Sequence, residues 1–296
     1  MDVHVRDLRY FVAVAEELSF TRAAEGLFIS QPALSKQVRQ LEGMLGFRLF
    51  RRDHRSVELT AAGKVLLPLA RGIVDDWERA RRTAAEAAAS EAGVLRVGMS
   101  TSVGRGLLPR VTERFAERHP DWKLDIRQVP WSDPTAGLAD GSSDVAFLWL
   151  PLPDPDPFEW AVIATERRWV ALRESHPLAG RDEIDFSDLL DEPFLALPSS
   201  AGPLRDFWLG LDHREGRPPR IAAEVRTADE TFEAIANGVG IALLSAGNAA
   251  IYGRPGIVAR PVKGLTPSDL ALVWLAGDDR AAVRGFAEAC RSVLAT

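Results

Sequence analysis

The sequence has few of the features that would place it outside the cytoplasm or in a redox cycle. It contains a single cysteine, Cys290, in 296 residues, so neither a disulfide framework nor a two-cysteine switch can form within one chain. No apolar run approaches the ~20 residues that a membrane helix needs, and the N-terminal MDVHVRDLRYF is charged where a signal peptide would be apolar. We therefore predict a cytoplasmic protein with no membrane partner, and a buried place for Cys290 on a last helix.

Signatures of catalysis and of metal or nucleotide binding are also missing. The five histidines have no ligand spacing among themselves or with Cys290, which argues against zinc. Glu58 stands where a phosphate-binding loop ending at Gly63-Lys64 would need its first glycine, and the glycines at 104–106 and 238–240 lack the later glycine of a dinucleotide fingerprint. The sequence has no G-x-S-x-G elbow. We predict a protein that is not an enzyme, without cofactor, metal site or catalytic residues.

The chain as a whole is acidic, but an excess of positive charge is concentrated in one segment. The formal net charge is −6, whereas residues 30–55 contain six basic and two acidic side chains. A local basic patch attracts a phosphate backbone even in an acidic protein. The charge distribution therefore favours a nucleic-acid interface near the N-terminus.

The segment around this patch has the pattern of a winged helix-turn-helix. Residues 8–18 form the apolar stripe of a first helix, and TRAAEGL follows as a short second helix with Ser19 or Thr21 as its cap. Ser30 caps a third helix, in whose first turn Pro32 lies. The next segment, RRDHRSVELTAAG, is a basic loop between two brief extended stretches, which is typical of a wing.

The third helix has an apolar face and a polar face. Gln31, Ser35 and Arg39 recur at i, i+4 and i+8 on the polar face. In a helix-turn-helix the N-terminal half of this helix enters the major groove, where such side chains bond base edges and phosphates. A solvated face is the alternative for this helix alone, but the neighbouring helices and the wing favour DNA reading. The predicted DNA-binding residues are Ser19, Thr21, Ser30, Gln31, Pro32, Ser35, Lys36, Arg39, Arg52 and Arg55.

Residues 6–63 closely resemble the winged helix-turn-helix of the LysR-type transcriptional regulators, and the rest of the chain resembles that family in outline. The resemblance implies a bacterial regulator that binds double-stranded DNA as a homodimer or homotetramer. It also implies a small-molecule effector, with RNA polymerase as a further partner. Carried over position by position, it implies base contacts or a wing contact from Gln31, Pro32, Ser35, Lys36 and Arg55.

From residue 64 the pattern is that of a long helix with a heptad seam. Packing on its own domain is the alternative, but the alanine-rich far end has little bulk for a globular core. We predict a linker helix over residues 64–92, kinked or begun by Pro68, in which Leu66, Ile73 and Trp77 contact a second chain. The seam positions are Leu66, Ala70, Ile73, Trp77, Ala80, Ala84 and Ala87.

Residues 93–296 alternate between strand and helix patterns, which predicts two α/β lobes, the first built on a mainly parallel sheet. Lobe 1 takes about residues 93–161 and 267–296, and lobe 2 about residues 162–266, with the proline-rich PLPDPDPFEW as the crossover. A ligand cleft then lies between the lobes. The predicted fold class is α+β multi-domain: a winged helix-turn-helix DNA-binding domain over 1–63, a linker helix, and a C-terminal two-lobed α/β effector domain that the resemblance likens to type 2 periplasmic binding proteins.

Polar loops at the ends of the predicted strands would line this cleft. Relatives that respond to aromatic acids have a small hydroxyl near position 131 and a basic residue near 149, whereas this chain has Trp131 and Trp149. We therefore predict a small, mainly apolar or aromatic effector with one hydrogen-bonding group, and not a dianion. The resemblance implies effector contacts at Ser100, Thr101, Ser102, Trp131, Trp149, Pro198, Ser199, Ser200 and Thr227.

Two alternatives remain open at this point. The two tryptophans would, in the first, simply fill the interface between the lobes. In the second, the chain as a whole is a cytoplasmic small-molecule (solute) binding protein with an N-terminal helical extension.

Overall fold

The structure is a computed structural model that describes residues 3–52, 57–103 and 106–294. The chain divides into two compact units, residues 1–84 and residues 85–296. Among the described residues, no helix is long and apolar enough to cross a membrane.

The first unit contains three short helices and a two-stranded antiparallel ribbon, followed by the start of a long helix. The apolar stripes of the short helices meet in one core, in which Phe11, Leu34 and Leu41 are fully buried. Burying these stripes together is what stabilises helices that are too short to persist alone. The elements are α1 (Val5–Glu17), α2 (Phe20–Gly26), α3 (Gln31–Leu45), β1 (Phe50–Arg52), β2 (Val57–Leu59) and α4 (Ala61–Glu91).

Side-chain caps begin the second and third helices. The Ser19 hydroxyl accepts a hydrogen bond from the backbone N–H of Arg22 at 3.3 Å, so α2 begins at Phe20 and Thr21 lies inside it. The Ser30 hydroxyl accepts from the N–H of Ala33 at 3.4 Å and caps α3. These caps satisfy N–H groups that have no partner within the helix.

One buried carboxylate attaches the wing to α3. Glu42 is 4% exposed, and its Oε1 accepts hydrogen bonds from the backbone N–H groups of Leu49 (2.9 Å) and Phe50 (3.1 Å). Its Oε2 lies 3.1 Å from a guanidinium nitrogen of Arg48. Because charge-assisted hydrogen bonds are strong, this acid fixes where β1 begins relative to α3.

The long helix α4 begins at Ala61, where the Thr60 hydroxyl accepts a hydrogen bond from the N–H of Gly63 at 3.0 Å. The helix continues through Pro68 to Glu91. Pro68 therefore does not mark its start, and the helix begins before residue 64, where the sequence pattern placed it. The cap at Thr60 explains the earlier start, because it lies just before the residues with an apolar period.

The second unit contains two lobes of mixed strands and helices. In chain order its elements are β3 (Val94–Met99), α5 (Leu107–Arg118), β4 (Lys123–Gln128), β5 (Val145–Trp149), β6 (Phe158–Glu166), β7 (Arg168–Arg173), β8 (Ile184–Asp185), β9 (Pro193–Ala196), α6 (Pro203–Leu209), β10 (Arg220–Glu224), α7 (Ala228–Ala236), β11 (Ala242–Ser245), α8 (Ala246–Ile251), β12 (Ile257–Lys263), β13 (Ser268–Leu275) and α9 (Ala281–Leu294).

The first lobe is built on a five-stranded sheet with the order β4-β3-β5-β13-β6. Strands β3, β4 and β5 are parallel and β13 is antiparallel to both β5 and β6, so four of these five strands run in one direction and the sheet is mainly parallel, as predicted. Phe115 of α5 and Phe286 of α9 meet edge to face, with ring centroids 5.6 Å apart. Cys290 of α9 is buried as predicted, and burial raises the pKa of its thiol to about 12.

Local hydrogen bonds and strand pairing determine two details of this lobe. The segment 133–140 forms turns, because the Asp133 carboxylate accepts the N–H groups of Thr135 (2.9 Å) and Gly137 (2.8 Å) and Ala136 has a φ of 48°. The chain leaves the lobe after Glu166, a few residues beyond the predicted boundary at about residue 161. The reason is that β6, which follows the proline-rich segment, pairs with β13 along its whole length.

The second lobe contains a four-stranded sheet with the order β11-β7-β12-β8 and the parallel pair β9 and β10. A parallel bridge between Phe194 and Ile241 connects the two. Its core includes the fully buried Ile184 and Phe194. The chain crosses between the lobes twice, after β6 and before β13, so a cleft lies between them.

Candidate functional site

The N-terminal half of α3 presents a polar surface to solvent. Gln31, Pro32, Lys36 and Arg39 are all exposed. Glutamine, lysine and arginine are side chains that bond base edges and phosphates in the major groove. The structure therefore brings together four of the predicted DNA-binding residues on one helix.

Ser35 departs from the prediction of an exposed polar face. It is only 9% exposed, and its backbone carbonyl accepts a hydrogen bond from Nε of Arg39 at 3.2 Å. Ser35 lies on the same face of the helix as Val38 and Glu42, which are both buried. The four-residue spacing correctly predicted that Gln31 and Arg39 are exposed, but Ser35 lies at the edge of the buried stripe.

The remaining predicted DNA contacts have different outcomes. Ser19 and Ser30 use their hydroxyls as helix caps, while Thr21 is exposed on α2. The side chain of Arg52 and the whole of Arg55 lie outside what the structure describes. A contact from the wing therefore stays a prediction.

The exposed apolar residues of α4 form a stripe that differs from the predicted seam. Ala70 is fully buried in the core of the first unit and Leu66 packs against it, so these two residues face their own domain. The largest exposed apolar side chains recur every four residues instead. They are Val65, Leu69, Ile73 and Trp77, exposed by 69%, 61%, 49% and 52% respectively.

The cleft of the second unit contains a cavity with an empty volume of about 720 Å³, which includes its open mouth. Its walls come from both lobes and are mostly apolar. Ser100, Thr101, Trp131 and Trp149 line it, as the resemblance implied. None of the described residues that line it has a charged side chain.

Three polar groups of the cavity form a chain of hydrogen bonds between the lobes. The indole N–H of Trp149 donates to the Thr101 hydroxyl at 3.1 Å, and Nδ2 of Asn248 lies 3.5 Å from the same oxygen. Asn248 is 6% exposed, and its Oδ1 has no hydrogen-bond partner among the described residues. A buried acceptor left unpaired costs about 1–3 kcal/mol, which makes this atom unusual in a folded protein.

Aromatic rings form much of the remaining wall. Trp149 meets Trp208 edge to face with centroids 5.9 Å apart, and Phe232 stacks on Tyr252 at 5.4 Å. Trp131 packs against the cores of both lobes. The two tryptophans therefore line the cavity and also pack between the lobes, so the two interpretations of them are not exclusive.

Five predicted effector residues are absent from the described lining. The backbone N–H of Ser102 donates to the Tyr252 hydroxyl at 2.9 Å, and the Ser200 hydroxyl donates to the backbone carbonyl of Ser132 at 3.0 Å. The Thr227 hydroxyl caps α7 by accepting the N–H of Glu230 at 3.2 Å. These hydrogen bonds connect loops and lobes, and the three residues are not among the described residues that line the cavity. The five are Ser102, Pro198, Ser199, Ser200 and Thr227.

Sequence reasoning missed Asn248, Tyr252 and Trp208. They lie in or just after short helices of the second lobe, and no local motif marks them. Only the packing of α6 and α8 against the cleft brings them to the cavity. A search for polar residues near strand ends would have found Asn248, because it follows β11 by three positions.

Comparison with known proteins identifies two regions of the chain that match family models. Residues 5–64 match the family described as "Bacterial regulatory helix-turn-helix protein, lysR family", and residues 88–295 match "LysR substrate binding domain". The regulator ShiR of Corynebacterium glutamicum is 35% identical over 95% of both chains. The Hca operon transcriptional activator HcaR of Escherichia coli is 32% identical over 96% of both.

Solved structures of full-length regulators are similar as well. Full-length CbnR complexed with its target DNA is 28% identical, with a TM-score of 0.52 over 99% of this chain and 100% of that one. Full-length BenM is 27% identical, with a TM-score of 0.54 over 99% of this chain and 97% of the other. The match over residues 5–64 leaves no support for a solute-binding protein with an unrelated extension. The chain belongs to the LysR family of transcriptional regulators, with an N-terminal DNA-binding helix-turn-helix and a C-terminal effector-binding domain.

Proposed function

We propose that this regulator reads its operator with the exposed N-terminal half of α3. In this proposal Gln31 bonds a base edge, Pro32 contacts an apolar group such as a thymine methyl, and Lys36 and Arg39 reach guanine or phosphate. The observation that carries it is the joint exposure of these four side chains on one capped helix. Ser35 has a smaller part than the sequence indicated, because it is buried.

The regulator forms a dimer through α4. Four large apolar side chains exposed on one helix in water are unfavourable unless another surface covers them. A second copy of α4 offers the same stripe, which suits a two-fold contact. Such a dimer presents two recognition helices to a two-fold DNA site.

The proposal also places the effector in the interlobe cavity and the protein in the cytoplasm, where DNA is accessible. The relatives named above are transcriptional regulators, and we propose the same non-catalytic role here. The mostly apolar wall with a few converging polar groups is typical of a small-molecule site.

Replacing Gln31 tests whether α3 is the recognition helix. The variant Gln31→Ala should lose about 1–3 kcal/mol of binding to the operator, with little change on random DNA, because a base-edge contact discriminates among sequences. Genomic fragments captured by the full-length protein would supply the operator, and fluorescence anisotropy would measure both affinities.

The control is Gln40→Ala, which removes the same side chain from an exposed position later in α3. This variant should bind both DNAs like the wild type. Equal losses on operator and random DNA for Gln31→Ala would show that α3 does not read bases through this residue.

A further inference from the structure

The unpaired oxygen of Asn248 restricts what the cavity can bind. This side chain lines the cavity, is 6% exposed and has no partner for Oδ1 among the described residues. Its backbone is held in place because its N–H donates to the Ser245 hydroxyl at 3.2 Å. An acceptor fixed in an apolar wall is complementary to a ligand that brings a hydrogen-bond donor.

Thr101 supplies the opposite polarity beside it. The hydroxyl oxygen of Thr101 accepts the indole N–H of Trp149 at 3.1 Å and lies 3.5 Å from Nδ2 of Asn248. Since this oxygen already faces two N–H groups, its own proton is available to donate. The two side chains therefore present one acceptor and one donor close together.

The absence of charged side chains from the described lining argues against carboxylate ligands. None of the described lining residues is charged, so a carboxylate would be buried without a cation to balance it. A carboxylate also lacks a donor and would leave Oδ1 of Asn248 unpaired. A hydroxyl or a carboxamide, by contrast, satisfies both groups without a net charge.

The walls define the rest of the ligand. Trp131, Trp149, Trp208 and the stacked pair of Phe232 and Tyr252 surround the polar pair with aromatic surface. Aromatic side chains favour stacked or edge-to-face contact with another ring. A ligand with one polar end would place that end at Thr101 and Asn248, because Ser102, Ser199 and Ser200 are absent from the described lining.

We propose that the effector is a neutral, ring-containing small molecule whose hydroxyl or amide N–H donates to Oδ1 of Asn248. Asn248 is then the residue that selects for this class over carboxylates. This inference rests on the proposed function, because it deepens the assignment of the interlobe cavity as the effector site.

Three probes with one ring and different polar ends test the proposal on the full-length chain. Benzamide offers a donor and an acceptor, benzoate is an anion without a donor, and toluene has neither. Titration calorimetry at pH 7.5 should show benzamide binding at least tenfold more tightly than benzoate and several-fold more tightly than toluene.

The variant Asn248→Leu tests whether this residue causes the preference, since leucine is close to asparagine in size. Binding of toluene should persist, while the preference for benzamide over toluene should disappear. The matched control Asn237→Leu replaces an exposed asparagine outside the cavity lining and should keep the wild-type order. Thermal unfolding of both variants would show that they are folded.

Three outcomes would overturn the proposal: benzoate binding as tightly as benzamide, an unchanged preference in Asn248→Leu, or no binding of benzamide at 10 mM. Operator binding by the same preparation separates this failure from failure of the proposed function. If Gln31-dependent DNA binding holds while the probes fail, the ligand class is wrong and the DNA-reading assignment stands.

Discussion

At the scale of single residues, the buried carboxylate of Asp144 depends on its ion pairs with two arginines. Its Oδ1 accepts a hydrogen bond from Arg96 at 2.7 Å and another from Arg280 at 2.8 Å. Burial is the largest influence on Asp144 and opposes its charge, but the hydrogen bonds from Arg96 and Arg280 together outweigh it. The pKa of Asp144 is therefore lowered from its ordinary value.

We expect Asp144→Asn to destabilise the second unit by about 3–5 kcal/mol at pH 7, because it leaves two partly buried guanidinium groups without their shared carboxylate. A lowered pKa means that the ionised acid stabilises the fold above the unfolded pKa of about 3.9, and that this contribution is lost as the pH falls through the folded value. Urea unfolding from pH 7 to pH 3 should therefore show the gap between wild type and variant shrinking toward acid.

Glu117→Gln is the matched control for Asp144→Asn. Glu117 pairs with Arg114 at 3.0 Å, but both side chains are about half exposed. Exposed pairs contribute about 0–1 kcal/mol, so this variant should unfold almost like the wild type at every pH. A large effect of Glu117→Gln, or none of Asp144→Asn, would contradict the distinction between buried and exposed pairs.

At the scale of elements, α4 has two different apolar surfaces. Leu66 and Ala70 belong to the core of the first unit, and the stripe from Val65 to Trp77 faces solvent. Two ion pairs, Arg9 with Glu78 and Arg71 with Glu16, attach the helix to α1. The outward direction of the stripe is therefore fixed by contacts on the other side of the helix.

Introducing a charge into this stripe should separate the chains. We expect Trp77→Asp to sediment as a monomer, because a dimer would have to bury the new carboxylate. Loss of the second reading helix should then weaken operator binding by about a hundredfold or more. Analytical ultracentrifugation and anisotropy on the same samples would measure both effects.

Thr83→Asp adds the same carboxylate to an exposed position of α4 that lies six residues after Trp77 and about 120° away from it around the helix. This control should stay associated and bind DNA normally. If Trp77→Asp sediments like the wild type, the exposed stripe is not the contact between chains.

At the scale of the whole molecule, charge is divided unevenly along the chain. The net charge is −6, yet residues 30–55 contain six basic side chains. The overall charge opposes association with DNA at a distance, while the local excess attracts phosphates at the interface. Salt should therefore act mainly through the local contacts.

We expect operator affinity to fall by about 10³-fold between 50 and 200 mM salt if about six phosphates are contacted. Lys36→Ala should reduce the slope of log K against log salt by about one if Lys36 contacts a phosphate, and should leave the slope unchanged if it contacts a base. Anisotropy titrations at four salt concentrations would give the slopes. Affinity that is independent of salt would contradict an interface built on these basic residues.

The sequence alone determined the parts of this protein that depend on neighbours along the chain. Helix caps at Ser19 and Ser30, the apolar stripe of α3 and the burial of Cys290 all follow from local spacing and residue type. The resemblance over residues 6–63 identified the family, because these residues specify a short DNA-binding domain whose fold depends on nearby residues. The resemblance of the rest of the chain also indicated that Thr101, Trp131 and Trp149 lie in the cleft.

Only the tertiary structure decided what depends on distant segments. The burial of Ser35 depends on helices packed against α3, and the pairing of β6 depends on β13, about a hundred residues later in the chain. Asn248 reaches Thr101 because the two lobes come together around the cavity. Hydrogen bonding and burial are set by atoms that the fold brings close, so spacing along a chain cannot reveal that Oδ1 of Asn248 is left without a partner.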